Sequence, residues 1–280
     1  SGNLDVRMNA RGDDELARLA IAFNEMANSL QQQINRLENL SQVQQRFVGD
    51  VTHELRTPLT TLRMAASMID SARDTFDPTI QRSVELMMIQ LDRFERLLED
   101  LLEISRFDAE VAVVDAVEFD ITEKVAKVIS DLKLVAKDAD VHIEFDRPGD
   151  CVYVNADIRR IERALRNLIT NAIDHAEGKP IHVTLRANEN AASIGVRDFG
   201  IGLDQESASR VFDRFWRADP SRSRLRGGTG LGLSLALEDA HLHHGDIEVF
   251  GKLGAGANFV LTIPKKVTNQ VPQSLIPVKF

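Results

Sequence analysis

The segment FVGDVTHELRTPL, residues 47–59, decides how the first part of the chain folds. Its apolar side chains recur at spacings of three, four and seven residues, which is the pattern of one face of an α-helix. The stripe that we expect to be buried consists of Val48, Val51, Leu55 and Leu62. Because Pro58 has no backbone N–H to donate, the sequence predicts a bend just after the polar residues of this segment.

The polar side chains of the same segment lie on the opposite face. His53 and Thr57 are four residues apart, and positions i and i+4 share one side of a helix. Glu54 adds a carboxylate next to the imidazole. A surface histidine with an acidic neighbour suits the acceptance of a group from outside, and an ordinary solvated histidine is the alternative. The choice between them depends on motifs further along the chain.

The bulk composition indicates a soluble globular protein of more than one domain. The chain has 280 residues, of which 43% are hydrophobic and 28% charged, and its formal net charge is −9. This charge argues against nucleic acid as a partner, because phosphate binding depends on clustered Lys and Arg. The single cysteine, Cys151, excludes an internal disulfide and a cysteine-based zinc site. No apolar run approaches the roughly 20 residues that span a bilayer.

Two long helices are predicted before residue 109. Residues 13–48 contain no Gly or Pro and have apolar residues at spacings of three and four, which favours a coiled coil over a plain amphipathic helix. Asp77-Pro78 then supplies an N-cap and a proline at the first helical position. The hairpin, joined at Ser71–Asp77, has an apolar seam that one chain cannot cover. Two hairpins paired in a four-helix bundle would bury it, so we predict a homodimer.

After a predicted linker at 109–118, the pattern changes to alternating helices and strands. Asp120 and Glu123 resemble a capping box that opens a helix to about Asp138, and another helix is predicted over Asp157–His175. Strands are predicted near Val141–Phe145, Cys151–Val154, Ile181–Ala187, Ala192–Arg197, Asp246–Phe250 and Asn258–Ile263. This pattern predicts an α/β sandwich over residues 119–266, followed by a loosely held tail at 267–280.

Polar and glycine-containing motifs in this second part indicate a nucleotide site. Asn167 and Asn171 lie four residues apart, and an amide oxygen is a hard ligand suited to a Mg²⁺ that shares a nucleotide's phosphates. Asp198, directly after a strand, can accept a hydrogen bond from the adenine amino group. Gly200 and Gly202 would let the backbone approach the base closely. Alone, each pattern could be an exposed helix face or a simple turn.

The glycine-rich stretch at residues 227–233 indicates phosphate binding. It leads into the predicted helix Ser234–His243, and a helix N-terminus presents free amides and a positive dipole end. The surrounding sequence fits neither a Walker loop nor a Rossmann fingerprint. The preceding residues 212–226 are polar, basic and without periodicity, as expected of a mobile lid. Arg217 could reach phosphate oxygens there, whereas the other arginines are better interpreted as solvated.

Taken together, these motifs resemble the sensor histidine kinases of two-component systems, over nearly the whole chain. Residues 4–30 resemble the C-terminal part of a HAMP signal relay. The family's boxes follow in order: His53–Pro58 (phosphoacceptor), Asn167–His175 (N box), Asp198–Gly202 (first glycine box), Phe212–Phe215 (F box), Gly228–Leu233 (second glycine box) and Gly254–Phe259 (last glycine turn). Val51–Met64 and Phe215–Arg222 are most similar to an actinobacterial branch of this family.

The resemblance implies an α plus α/β fold. A helical coiled coil and hairpin would form a four-helix bundle in a dimer, and an α/β sandwich ATP-binding domain of the Bergerat (GHKL) type would follow. The implied domains are residues 1–46 (end of HAMP and signalling helix), 47–108 (dimerisation and phosphotransfer hairpin), 109–118 (linker), 119–266 (ATP-binding domain) and 267–280 (tail).

The resemblance also implies ATP-dependent autophosphorylation. His53 would be the phosphoacceptor, Glu54 would fix its tautomer, and Thr57 would position a water for phosphatase activity. Asn171 would ligate Mg²⁺, and Asp198 would bind adenine. Further nucleotide contacts would come from Asn167, Asp174, His175, Gly200, Gly202, Phe212, Phe215, Arg217, Gly228, Thr229, Gly230, Leu231, Gly232 and Leu233. Asp174 stands where many relatives have a phosphate-contacting lysine, and His175 where tyrosine is frequent.

The implied cofactors are ATP and Mg²⁺. The implied partners are a second copy of the chain and a receiver domain of a response regulator, whose aspartate would take the phosphoryl group. We expect the full-length protein to be anchored at the cytoplasmic side of the cell membrane through a transmembrane part, and this fragment to be soluble. Two alternatives stay open at this point: a conformational ATPase of the same ATP-binding fold, and a signalling scaffold whose nucleotide site has decayed.

Overall fold

Two long helices form the first part of the structure, a computed structural model that describes residues 15–107, 114–217, 229–266 and 271–279. Helix α1 spans Glu15–Ser71 and helix α2 spans Pro78–Phe107, with a short 3₁₀ turn at Arg73–Thr75 between them. The predicted N-cap is confirmed, because the Asp77 carboxylate accepts hydrogen bonds from the amides of Thr79 (2.9 Å) and Ile80 (3.1 Å).

Helix α1 continues through Pro58 without interruption. A proline cannot donate the hydrogen bond that normally reaches the carbonyl four residues earlier. Threonine hydroxyls supply additional donors near this position. Thr60 Oγ1 donates to the Arg56 carbonyl (2.9 Å), and Thr61 Oγ1 donates to the Thr57 carbonyl (3.2 Å). The helix nevertheless continues beyond the proline to Ser71, for more than three turns.

The apolar stripe of α1 is exposed in the single chain, contrary to the expectation of burial. Leu55 is 37% exposed and Leu62 is 58% exposed, and Val48 lies outside the described side chains. Among its described side chains, the hairpin buries a narrow strip of Leu59, Ala66, Val84 and Leu98. Other large apolar side chains remain in water, among them Met64, Met68, Ile80, Leu86, Ile89 and Phe94. Burying this surface requires a second hairpin, so the homodimer stays our prediction.

A five-stranded mixed sheet organises the second part of the chain. The strands are β1 (Val117–Asp120), β2 (Ile143–Asp146), β3 (Tyr153–Ala156), β4 (Ile181–Ala187), β5 (Ala191–Asp198), β6 (Asp246–Lys252) and β7 (Gly256–Pro264). The strand order is β2-β4-β5-β7-β6, in which only β2 and β4 are parallel. Strands β1 and β3 form a separate antiparallel pair. The helices are α3 (Ile121–Asp131), α4 (Lys133–Asp138), α5 (Ile158–His175), α6 (Gln205–Arg210) and α7 (Gly232–Leu242).

The predicted elements agree with the observed ones except at a few short segments. The helix expected to run to Asp138 is divided at Leu132 into α3 and α4, although its predicted cap is present, since the Asp120 carboxylate accepts from Thr122 N (2.9 Å). Strand β1 begins inside the predicted linker, and α6 was not predicted. Both missed elements have at most six residues, too few to show a clear period.

The two faces of the sheet are covered by different parts of the chain. Side chains of β5 and β7 alternate, so that Ile194, Val196 and Phe259 join the core beneath helix α5. The outer face holds Ser193 and Thr262, which are also buried.

The tail at residues 271–279 covers this outer face and is not loosely held, which corrects the expectation from sequence. The amide of Leu275 donates to Ser193 Oγ (3.0 Å). Asn258 Nδ2 donates to the carbonyls of Pro277 (3.2 Å) and Val278 (3.0 Å). A proline-rich segment without periodicity gives no sign in the sequence that its backbone will be bound by specific side chains.

A buried acidic residue joins helices α5 and α7. Asp239 on α7 is fully buried and accepts two hydrogen bonds from Arg163 (2.7 and 2.8 Å) and one from Arg160 (3.2 Å). Burial raises the pKa of Asp239, and the two guanidinium groups oppose that rise. His243 completes the connection, because its Nε2 accepts from Asp157 N (2.9 Å) while its Nδ1 bonds the Asp239 carbonyl (2.6 Å). These contacts fix the two helices that flank the candidate site.

Replacing Asp239 by alanine should destabilise the α/β part strongly. The change leaves the guanidinium groups of Arg160 and Arg163 without their buried partner, which costs about 3–5 kcal/mol. The control is Asp131→Ala, since Asp131 pairs with Arg166 at the surface, where both side chains are about 40% exposed and the loss is about 0–1 kcal/mol. Urea unfolding followed by circular dichroism measures both. Equal losses in the two variants would contradict this role of Asp239.

Candidate functional site

The Asp198 carboxylate lies at the end of β5 and is almost fully buried, with 2% of the residue exposed. One oxygen accepts from Gly200 N (2.9 Å) and the other from Ala257 N (3.2 Å). Burial raises the pKa of Asp198, and these two N–H groups and Arg197 oppose the rise. A carboxylate oxygen has two acceptor positions, so the group can still accept a hydrogen bond from a ligand.

Glycines allow three backbone segments to meet around Asp198. A Cβ on Gly200 would lie 1.7 Å from the His175 carbonyl oxygen. Gly202 (φ +74°) and Gly256 (φ +87°) have left-handed backbone conformations, and a Cβ there would lie 2.0 and 2.1 Å from the Lys252 and Asp198 carbonyl oxygens. These glycines therefore cannot be replaced without moving the backbone that holds the carboxylate.

Asn167 connects helix α5 to the glycine-rich segment at the start of α7. Its Nδ2 donates to the Gly232 carbonyl at 2.9 Å, and a Cβ on Gly232 would lie only 3.1 Å from its side-chain oxygen. Asn171, one turn later on α5, is half-buried, whereas Asp174 and His175 are exposed. The structure thus places the asparagine motif directly beside the second glycine motif.

The phenylalanine motif packs against the same glycine-rich segment. Phe212 contacts Phe259 of the core edge to face, with ring centroids 6.2 Å apart. Phe215 is exposed and has φ +63°, and its amide donates to the Gly230 carbonyl at 2.9 Å. Arg217 has a buried guanidinium nitrogen, Nη2, with no hydrogen-bond partner among the described residues. A buried donor of this kind suits an anionic ligand.

The glycine-rich segment also contacts the helical hairpin, through a residue that the sequence did not single out. Thr229 Oγ1 donates to the Asp100 carboxylate of α2 at 2.9 Å and accepts from Leu231 N at 3.2 Å. Leu97 packs against Leu231 and Leu235 next to this hydrogen bond. Burial raises the pKa of Asp100, and the hydrogen bond from Thr229 opposes the rise. An acidic residue between two leucine pairs of a long helix gave no signal in the sequence.

The phosphoacceptor segment lies on the hairpin, in a separate part of the fold. Glu54 and Thr57 are exposed on α1, and the His53 side chain lies outside the described residues, as does Gly228. Leu231 is fully buried and Leu233 partly buried. Among the described residues, the structure brings Asn167 beside Gly232 and Phe215 beside Gly230.

Three stretches of the chain match known protein families. Residues 156–267 match "Histidine kinase-, DNA gyrase B-, and HSP90-like ATPase", residues 43–110 match "His Kinase A (phospho-acceptor) domain", and residues 1–32 match "HAMP domain". The order of these matches is the order predicted from the motifs.

Curated relatives match the chain over nearly its whole length. The chain is 50% identical over 278 residues to Sensor histidine kinase MtrB of Mycolicibacterium paratuberculosis, which covers 99% of the chain and 49% of that protein. It is 35% identical over 274 residues to Signal transduction histidine-protein kinase AfsQ2 of Streptomyces coelicolor, which covers 94% of the chain and 50% of that protein. The chain thus spans about half the length of these relatives. The resemblance to an actinobacterial branch of the family is confirmed.

Solved structures of similar fold include that of full-length ShkA in complex with AMPPNP, with a TM-score of 0.67 and 24% identity over 80% of this chain and 47% of that one. A second is histidine kinase ThkA in complex with response regulator protein TrrA, with a TM-score of 0.57 and 23% identity over 85% of this chain and 66% of that one. The predicted fold class is therefore confirmed. Within the described ranges, no helix has the length and apolar character needed to cross a bilayer.

Gly200→Ala should disrupt the environment of Asp198. The new methyl group would overlap the His175 carbonyl oxygen, and because the obstacle is backbone, we expect a loss of about 3 kcal/mol or more in the free energy of unfolding. The control is Gly149→Ala, where a Cβ meets nothing within 4 Å and the change should stay within about 0.5 kcal/mol. Thermal unfolding measures both. A Gly200→Ala chain as stable as the control would show that the loop is not held as described.

Asp100→Asn should stabilise the chain at neutral pH. Because the folded chain raises the pKa of Asp100, its charged form opposes folding, and stability falls as the pH rises from the unfolded value of about 3.9 through the folded value. The amide keeps a hydrogen bond to Thr229 without charge. We therefore expect a gain in stability at pH 7 that vanishes toward pH 4.

Urea unfolding of this variant and its parent at both pH values measures the difference. Asp74→Asn, at the exposed tip of the hairpin, is the control. A gain that is the same at both pH values, or present in the control, would contradict the assignment to a buried charge.

Proposed function

This chain belongs to the sensor histidine kinases of two-component systems, and we propose that it transfers the γ-phosphoryl group of ATP to its own His53. The phosphoryl group then passes to an aspartate of a receiver domain. The observation that carries this proposal is the Asp100–Thr229 contact, because it places the glycine-rich segment on the hairpin close to the phosphoacceptor segment.

The level of this contact on the hairpin follows from the ion pairs between its two helices. Arg63 of α1 bonds Asp92 (3.1 Å) and Glu95 of α2. The helices run antiparallel, so moving toward the C-terminus of α2 corresponds to moving toward the N-terminus of α1. Asp100 is therefore level with residues 55–58, which begin half a turn after His53. The segment proposed to bind the phosphates thus meets the hairpin within about one helical turn of the acceptor.

The buried carboxylate supports adenine binding at the other end of the nucleotide. Asp198 is held by two backbone N–H groups and keeps acceptor positions for the adenine amino group. Because Asp198 is almost fully buried, water cannot easily reach its remaining acceptor positions. The site therefore favours a ligand that supplies a hydrogen-bond donor there. Gly200 and Gly202 let neighbouring backbone segments pack closely around this carboxylate, which keeps the proposed acceptor for the base in place.

Asn171 is the proposed magnesium ligand. The amide oxygens of this helix are hard, neutral donors, which suit a Mg²⁺ that takes its remaining ligands from water and from the nucleotide. Bound magnesium would neutralise charge on the phosphates during transfer. Arg217, whose buried Nη2 has no hydrogen-bond partner within the described ranges, is the cationic side chain that we propose for a phosphate oxygen. Asp174, in contrast, contributes a negative charge where a cation would help.

In the proposed transfer step, a ring nitrogen of His53 attacks the γ-phosphorus and the bond to the β-phosphate oxygen breaks, which releases ADP. The adjacent Glu54 carboxylate would accept a hydrogen bond from the other ring nitrogen and stabilise the positive charge that forms on the ring. Thr57, one turn later, would orient a water for removal of the phosphoryl group from the receiver domain. The complex of ThkA with its response regulator supports a receiver domain as partner.

His53→Gln should abolish phosphorylation of the chain and leave its affinity for ATP within about twofold, since the acceptor is not part of the nucleotide site. Asp198→Asn should weaken ATP binding about tenfold or more, because the amide no longer offers the same acceptor to adenine. His142→Gln, at an exposed histidine, is the control for both. Transfer of label from ATP in the presence of Mg²⁺ measures phosphorylation of the chain, and titration calorimetry measures its affinity for ATP.

The modification itself identifies the reaction. A phosphoramidate is labile in acid and stable in base, so the label should be lost only in acid. ATP hydrolysis without any labelled chain would favour the conformational ATPase. Absence of both binding and hydrolysis in the dimeric chain would favour the decayed scaffold, and either result would overturn the proposal.

A further inference from the structure

The tail of residues 271–279 is bound in a site made by polar side chains of the outer sheet face. Ser193, Asn258 and Thr262 are 0%, 6% and 2% exposed, although each points away from the core. Ser193 Oγ accepts from Leu275 N (3.0 Å) and shares a hydrogen bond with Thr262 Oγ1 (2.9 Å). Asn258 Nδ2 bonds two tail carbonyls. Burial of a polar sheet face together with its hydrogen-bond partners indicates a specific docking site.

A glycine of β5 forms the apolar part of this docking site. A Cβ on Gly195 would have two atoms of the Ile276 side chain, Cδ1 and Cγ2, as its nearest neighbours at 3.4 Å. The isoleucine thus occupies the space above the glycine, where any larger side chain would displace it. Ser274 shapes the tail around this anchor, since its hydroxyl bonds both the amide (3.3 Å) and the carbonyl (2.8 Å) of Ile276.

The strands that bind the tail also hold the Asp198 carboxylate. Asn258, which anchors the tail, directly follows Ala257, whose amide donates to Asp198. Arg197 is the register partner of Asn258 on β5 and precedes Asp198. Its guanidinium donates to the carbonyls of Asp198 (2.7 Å) and Ala255 (2.6 Å). On β7, a residue that contacts the tail, Asn258, is therefore the direct neighbour of a residue that bonds the carboxylate, Ala257.

A groove beside the tail extends to the segment that directly follows Asp198. It has a volume of about 400 Å³ and is lined by Ile276 and by Phe199, the residue after Asp198. The Arg197 guanidinium lies 4.6 Å from the Phe199 ring centroid, and His182 contacts that ring edge to face at 5.0 Å. Movement of the tail would therefore change the packing around Phe199, next to Asp198, on the outer face of the sheet.

We propose that the docked tail is a strap that positions the Asp198 carboxylate from the back of the sheet and thereby sets the affinity for the nucleotide. This inference rests on the function proposed above for the nucleotide, but the positioning itself does not need a bound ligand. Ile276 and Asn258 are positioning residues in this scheme, because they act on the carboxylate through β5 and β7 and do not touch the nucleotide.

Ile276→Asp in the full chain tests the strap. It places a charge above Gly195, so the tail should leave the sheet, and the Kd for ATP should rise about fivefold or more. Phosphorylation at saturating ATP should stay close to that of the parent. Gly195→Leu should also displace the tail and weaken ATP binding, although the sequence of the tail is unchanged. Val271→Asp is the matched control, because Val271 is 59% exposed and its replacement leaves the tail docked.

Amide hydrogen exchange provides a measurement that does not depend on ATP. The amides of Gly200 and Ala257, which bond Asp198, should exchange faster in Ile276→Asp and Gly195→Leu than in the parent and in Val271→Asp. A synthetic peptide of residues 271–279, added to a chain that lacks them, should restore both protection and affinity.

Unchanged exchange at these two amides in Ile276→Asp would overturn the strap, as would a lower melting temperature with unchanged Kd. A parent chain that binds no ATP overturns the function proposed above, and the exchange rates then decide the positioning by themselves.

Discussion

The buried carboxylate of Asp198 is the group on which the arrangement of the α/β part depends. A carboxylate that has lost its water needs hydrogen-bond donors, and here they come from the backbone of two different segments, at Gly200 and Ala257. The glycines on both segments allow the backbone to pack closely around the carboxylate, since a Cβ on Gly200 or Gly256 would overlap a backbone carbonyl oxygen. These hydrogen bonds offset part of the cost of burying this charge, and the carboxylate oxygens keep further acceptor positions for a ligand.

A second buried carboxylate, Asp239, has a different partner and a different consequence. Its charge is balanced by two arginines of α5, so it joins two helices, whereas the partners of Asp198 leave acceptor positions free. Asn167 adds a neutral connection between the same helices through Gly232. Helices α5 and α7 are therefore joined at two levels, and these contacts set the spacing between the asparagine and glycine motifs.

The sequence predicted the elements with a clear period and the motifs with a clear chemistry. Strand β4 was predicted at its observed bounds, and the N-cap of α2 was recognised because Asp-Pro has a local physical meaning. What could not be predicted depends on contacts between distant segments. The Asp100–Thr229 hydrogen bond joins residues 129 positions apart, and the docking of Ile276 on Gly195 depends on a missing side chain. Neither leaves a periodic trace, since one acidic residue or one glycine fits many local structures.

The contact between the hairpin and the glycine-rich segment has an electrostatic consequence. Asp100 places a carboxylate beside the segment proposed to bind the phosphates, and a negative charge there repels a phosphate. The Thr229 hydroxyl donates to Asp100 and accepts from the Leu231 amide. This amide therefore already has a hydrogen-bond partner in the arrangement observed here. Leu97 with Leu231 and Leu235 favours the docked arrangement without regard to charge. Phosphate binding, as proposed, would therefore act on this segment in the opposite direction to apolar packing. The proposed cationic groups, Arg217 and magnesium, would offset the charge of Asp100 when the nucleotide binds.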